Sequence, residues 1–226
     1  MLIEGRPTLN PQPFNTKKFI LMAGNIGSGK TSLTHLLGET LGCQTAFESV
    51  ADNPYLADFY ADMKTWSFHL QMYFLGHRAL QHQKLAESPE TAIMDRSIYE
   101  DAFIFVRALH SLGNLTDRDY EAYFTLFDSV IANLPKPDLL IHLKAPVEVL
   151  LQRIRFRARD IETGIDKPYL ELLESLYDEW LSSFDLCPVL TIKSDDLDFV
   201  HKPEHLEQVI RHMHESLAGR DELRLF

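Results

Sequence analysis

Residues Phe19 to Thr31 read FILMAGNIGSGKT: an apolar run, Phe19-Ile20-Leu21-Met22-Ala23, passes directly into Gly24-Asn25-Ile26-Gly27-Ser28-Gly29-Lys30-Thr31. The second part has the spacing G-x-x-x-x-G-K-[ST], and it stands where a phosphate loop must stand, after a strand and before a helical pattern. Gly24 and Gly29 let the backbone curl so that successive N–H groups face phosphate oxygens. The start of the following helix adds its positive end. Lys30 brings a point charge to the outer phosphates, and Thr31 offers a hydroxyl to Mg²⁺. All eight residues from Gly24 to Thr31 are the expected phosphate-binding set. A glycine-rich turn with a chance lysine is the alternative, and it gives no reason for the flanking strand and helix.

Outward from the loop, Leu33 to Leu41 continues as a helix that stops at Gly42, and Thr45 to Phe47 reads as a short strand. Helical patterns follow over Asn53 to Ala61 and Trp66 to Ala86. Strands are expected at Thr91 to Met94, Leu139 to Leu143 and Val189 to Ile192. Further helices are expected at Ile98 to Leu112, Asp117 to Ala132, Pro146 to Arg159, Pro168 to Phe184 and Pro203 to Leu217. Strands alternating with helices predict an α/β fold with a parallel sheet covered on both faces. Ligands of such sheets lie beyond the carboxyl ends of the strands.

Two carboxylates fall at those ends. Glu48 follows the second strand and Asp95 the third, with Arg96 next to it. One carboxylate would accept a proton from an attacking hydroxyl and the other would hold Mg²⁺, while Arg96 would neutralise charge on a migrating phosphoryl group. Solvated strand-end charges are the plainer alternative. On the long helix, Gln71, Phe74 and Arg78 share one face, as do Asp101 and Phe105 on the next. An amide, aromatic rings and a possible Arg78–Asp101 pair suit a flat heteroaromatic ligand. Periodicity alone also allows Phe74 and Phe105 to be core and the charges to be surface. Arg153, Arg155, Arg157 and Arg159 form the one dense basic run. They either stabilise a helix C-terminus or form a lid over the phosphates when ATP binds, with the segment Asp160 to Gly164 on its hinge side.

The chain has 226 residues and a net charge of −11. That length fits one domain. That charge argues against a general partner in nucleic acid or anionic membrane. No apolar stretch approaches the ~20 residues that cross a bilayer. Cys43 and Cys187 match no metal or redox spacing, as expected of reduced thiols in a cytoplasmic protein. Residues 1–18, MLIEGRPTLNPQPFNTKK, read as a flexible lead without a signal-peptide core.

Together, GNIGSGKT, the FESV segment at Glu48, YADMKTWSFHLQMYFLGHR from Tyr60 to Arg78, DRSIYEDAFIF from Asp95 to Phe105, and RIRFRARDIETG from Arg153 to Gly164 with Tyr169-Leu170 resemble the deoxynucleoside kinases. This is the group of deoxycytidine, deoxyguanosine and bacterial deoxyadenosine kinases. The resemblance runs from about Phe19 to about Val200. It implies a P-loop kinase fold with a five-stranded parallel sheet flanked by helices, in a single domain over 19–226 with a helical lid at about 153–166. It implies ATP-dependent phosphorylation of a deoxynucleoside 5′-hydroxyl in nucleotide salvage, with Mg²⁺, and a homodimer formed through two helices. Glu48 is implied as the general base and Arg96 as its partner near the transferred group. Tyr60 and Glu162 are implied for the 3′-hydroxyl, Gln71 for the base edge, Arg78 and Asp101 as the base-selecting pair, and Phe105 for stacking. Arg153, Arg157 and Arg159 are implied as lid arginines, with Asp95 and Thr31 serving Mg²⁺. Asp95 stands where many members have Glu, FESV departs from the commoner E-P-V form, and Phe74 stands where some relatives have a small residue. The Arg–Asp pair points to deoxyadenosine first, then deoxyguanosine or deoxycytidine, and away from thymidine, whose methyl group would meet the pair.

Two other readings stay open on the sequence. A thymidylate-type monophosphate kinase shares the loop, a D-R motif and a lid, but a Glu48 base would repel an incoming phosphate. A nucleotide-dependent switch would have no use for the Gln71, Arg78 and Asp101 face, and the guanine-reading N-K-x-D segment is absent.

Overall fold

The computed structural model of the chain describes residues 14–47, 53–159 and 164–222. Glu48 and Glu162 lie outside the described residues, as do most of the lead and the last four residues. Five parallel strands, β1 (Phe19–Gly24), β2 (Gln44–Ala46), β3 (Ala92–Asp95), β4 (Leu139–Lys144) and β5 (Val189–Lys193), form one sheet in the order β2-β3-β1-β4-β5. β1 lies at the centre and is buried along its whole length. That burial on both faces is why its sequence is continuously apolar.

Side chains of a strand alternate between faces, and the core divides accordingly. Phe19, Leu21 and Ala23 face one cluster, with Met94, Leu140 and Tyr177; Ile20 and Met22 face the other, with Ile93, Ile141 and Leu206. The second face is covered by α1 (Lys30–Leu41) and α9 (Pro203–Glu222). The first face is covered by α3 (Met63–Glu87), which follows the short α2 (Leu56–Ala61), and by α6 (Asp117–Ile131) and α8 (Lys167–Ser182). α7 (Val147–Arg157) packs Leu150 and Ile154 against Ile26 and the start of α8. Register places Asp95 beside Met22 and Leu143 beside Gly24, so the ends of β3, β1 and β4 converge on the glycine loop.

One expectation needs correcting. The continuous helix predicted from Ile98 to Leu112 is instead α4 (Ile98–Glu100), a π-helical turn over Asp101–Val106, and α5 (Arg107–Ser111). Ser97 and Glu100 lock the first turn in a reciprocal cap, while Ile104, Val106 and Ala108 further on must all reach the core. A wider turn takes up the offset between these two demands, as π turns do at functional sites.

Candidate active site

Three glycines give the loop its shape: Gly24, Gly27 and Gly29 have φ of 146°, 83° and 100°. A Cβ on Gly24 would lie 2.5 Å from the Leu143 carbonyl oxygen, so only glycine lets β1 turn so tightly beside β4. The Lys30 ammonium donates to the carbonyls of Gly24 (2.6 Å) and Asn25 (2.9 Å), which seats its charge at the centre of the loop. Asn25 is fully buried, and its amide donates to the Leu170 carbonyl and to Glu174, each at 3.0 Å. The side chains of Asn25 and Ile26 fasten the loop to α8 and the core, and Asn25 Oδ1 accepts from the Ile26 N–H at 2.8 Å.

Thr31 Oγ1 donates to Asp95 Oδ2 at 2.7 Å, and the buried Oδ1 of Asp95 has no hydrogen-bond partner among the described residues. A hydroxyl and a carboxylate with a spare oxygen at the mouth of a phosphate loop are a hard-oxygen donor set, which fits Mg²⁺ completed by phosphate oxygens and water. Arg96 next to it holds φ of 72°, a left-handed backbone that costs a non-glycine residue of order 1 kcal/mol. That turn aims the guanidinium over the Phe105 ring, 4.4 Å from its centroid. It also leaves the Arg96 N–H bonded to the Met22 carbonyl at the end of β1.

Behind the loop lies a carboxylate that the sequence reading passed over. Glu100 is fully buried. Its Oε1 accepts from the Gly24 N–H (3.2 Å) and the Tyr177 hydroxyl (2.6 Å), and its Oε2 accepts from the Ser97 N–H (3.1 Å). Burial pushes its carboxyl above the ordinary range, while the charges of Arg96 and Lys30 pull the other way. The Tyr177 hydroxyl also donates to the Gly24 carbonyl at 2.8 Å, and burial keeps it protonated far above neutral pH. The Ser97-x-x-Glu100 spacing is the capping-box signature and was legible in the sequence; nothing local singles out Tyr177.

Beyond Arg96 the pocket is walled by α3 and the π turn. Arg78 and Asp101 form an ion pair through Nε and Oδ2, with side chains 2% and 4% exposed, so the alternative in which these charges sit on the surface does not hold. Arg78 also stands over the half-buried Phe74 ring at 5.5 Å. Gln71 is buried, and its Oε1 has no hydrogen-bond partner among the described residues. Tyr123 of α6, likewise missed, is fully buried and feels the charges of both Asp101 and Arg78. Tyr169 at the start of α8 feels Arg96 and Tyr60, which places the half-exposed Tyr60 on the same side of the pocket.

The arginine run divides. Arg153 is fastened, donating to the Ser28 carbonyl and to Ser194 Oγ and carbonyl (3.4, 3.0 and 2.7 Å), so it joins the loop to the end of β5. Arg157 and Arg159 are exposed beyond it. α7 ends between them at Ala158, whose φ is 48°.

A family profile described as deoxynucleoside kinase matches residues 20–218. The chain is 38% identical over 193 residues to a deoxyadenosine/deoxycytidine kinase of Bacillus subtilis, covering 84% of this chain and 89% of that one. It is 41% identical over 205 residues to a deoxyadenosine kinase of Dictyostelium discoideum, covering 90% and 82%. Among solved structures, deoxyadenosine kinase from M. mycoides with bound dATP superposes with a TM-score of 0.75 at 29% identity, covering 87% of this chain and 99% of that one.

Proposed function

The chain belongs to the deoxynucleoside kinase family and is an enzyme that phosphorylates deoxynucleosides; from that premise we propose that it moves the γ-phosphoryl group of ATP to the 5′-hydroxyl of a deoxynucleoside, deoxyadenosine before deoxyguanosine or deoxycytidine. The observation that carries the base preference is the buried Arg78–Asp101 pair beside an unpartnered Gln71 carbonyl oxygen. An amide of this kind reads adenine in two bonds, accepting from the N6 amino group and donating to a ring nitrogen. Leaving that oxygen buried without a ligand costs about 1–3 kcal/mol, which a base with a matching donor returns. The relatives named above, two of them deoxyadenosine kinases, support the same preference.

In this reading Gly24 to Thr31 hold the triphosphate, with Lys30 on its outer charge and Arg157 and Arg159 approaching from the lid. Arg153 supports the loop from behind. Thr31 and Asp95 would hold Mg²⁺, which when bound would supply charge neutralisation for the phosphates. Glu48 takes the 5′-hydroxyl proton, and Arg96 faces the phosphoryl group as it moves. Tyr60 and Glu162 hold the 3′-hydroxyl, and Phe74 and Phe105 flank the base. We place the enzyme in the cytoplasm: Cys43 and Cys187 are not joined by a disulfide, and no described helix is long and apolar enough to cross a membrane. We also propose a homodimer built on α6 and the segment from α4 to α5, where Leu112 and Leu126 stand exposed; sedimentation at the monomer mass would refute it.

The test is initial-rate turnover of the four deoxynucleosides with ATP and Mg²⁺. Deoxyadenosine should show the highest kcat/KM and thymidine the lowest, separated by about 100-fold or more. Thymidine as the best substrate would overturn the assignment of the pair.

A further inference from the structure

Two cations of the site, Lys30 at the start of α1 and Arg96 just past the end of β3, follow different strands, and one buried carboxylate links their backbones. Lys30 is seated on the Gly24 carbonyl, and the same peptide unit's neighbour, the Gly24 N–H, is held by Glu100 Oε1. Arg96 precedes Ser97, whose N–H is held by Glu100 Oε2. Tyr177 closes the circuit, because its hydroxyl lies 2.8 Å from the Gly24 carbonyl and 2.6 Å from Glu100. We propose that Glu100, braced by Tyr177, is a positioning residue that fixes the orientation of Lys30 relative to Arg96 across the path of the transferred phosphoryl group. It touches neither substrate and acts through the Gly24 and Ser97 backbone.

The chemistry demands a carboxyl group. Both Glu100 oxygens accept from backbone N–H groups. A glutamine can present an acceptor to only one of them, and its amide nitrogen would face the other donor to donor. A plain helix cap would need only the Ser97 side of this arrangement, yet Glu100 also reaches back to the phosphate loop and to α8. The groups facing it are Arg96, Lys30 and Tyr177, with Glu174 and His142 beside Tyr177. A fixed pair of cations is worth most in the transition state, where a small misplacement costs rate steeply.

This inference rests on the nucleotide reading of the loop, and its test is read on ATP as well as on transfer. Glu100→Gln should lower kcat about 50-fold and weaken ATP binding, while deoxyadenosine affinity stays within about threefold. Ser97→Ala, which removes the cap hydroxyl and keeps the carboxylate bridge, should keep kcat within about threefold at a comparable loss of Tm. Tyr177→Phe removes one hydroxyl and should raise the Kd for ATP about tenfold; in a Lys30→Ala background it should add nothing, because it acts through that lysine. Glu100→Gln with parental kcat, losses in Glu100→Gln and Ser97→Ala that simply follow Tm, or additive effects of Tyr177→Phe and Lys30→Ala would each overturn the proposal. Tyr177→Phe also decides the matter if Glu100→Gln does not fold. A parent enzyme that binds ATP without phosphorylating deoxyadenosine would sink the substrate reading alone and leave the ATP-binding comparisons to judge Glu100.

Discussion

Single residues carry the chemistry here, and their legibility depended on whether their signal was local. Lys30 and Thr31 announce themselves, because a phosphate loop needs contiguous residues in fixed order. Asp95 was legible from its place at a strand end, and its contact with Thr31 at 2.7 Å follows from the register of β3 beside β1. Arg78 and Asp101 were legible as a pair only because each falls in a helical pattern of the sequence; their burial was not, since periodicity cannot decide whether a charge points to water or to a partner. Asn25 shows what a local motif leaves out: its side chain bonds to residues far along the chain, Leu170 and Glu174. The residue whose role is most open to direct test is Glu48. Glu48→Gln should lower kcat by about 10²–10⁴-fold with the Kd for ATP nearly unchanged, measured by steady-state turnover and calorimetry. Parental turnover would remove it as the base.

At the level of elements, strand and helix identities followed from alternation and caps, and they agree with the structure to within a few residues. β1, α1 with its Gly42 stop, and β4 are where the apolar runs and glycines put them. The π turn over Asp101–Val106 was not legible, because it arises from the demands of distant partners and has no composition of its own. β4 makes a testable case of an element carrying a buried titratable group. His142, on the face that meets Tyr177, is 2% exposed, and burial with the nearby charge of Lys144 lowers its pKa to about 4. Its ordinary value is 6.5. Between those values the unfolded chain binds the proton and the folded one does not, so stability falls as pH drops from about 6.5 towards 4. The slope from this group is at most about 1.4 kcal/mol per pH unit. Denaturant unfolding at pH 7 and pH 5 should show it, and His142→Asn should lose less stability over that interval than the parent. An identical pH dependence in both would exclude His142 as the source.

Seen whole, the molecule concentrates positive charge where an acidic chain needs it. With a net charge of −11, an ATP-binding surface has to be a local basic site, and we assign that role to Lys30, Arg96 and the arginines at the end of α7. We assign the two halves of that site to different ligands. The glycine loop and Lys30 belong to the β1–α1 turn, whereas Gln71, Arg78 and Asp101 belong to α3 and the π turn. If those halves are the phosphate end and the base end of one reaction, damage to each should be felt by one ligand only. Calorimetric titration of ATP and of deoxyadenosine into Lys30→Ala and Arg78→Ala makes that comparison directly. Arg78→Ala removes the guanidinium from the base end, so it should weaken deoxyadenosine by a hundredfold or more, about 2.7 kcal/mol, while ATP binding stays near parental; Lys30→Ala should do the reverse. Equal losses of both ligands in Arg78→Ala would contradict the account.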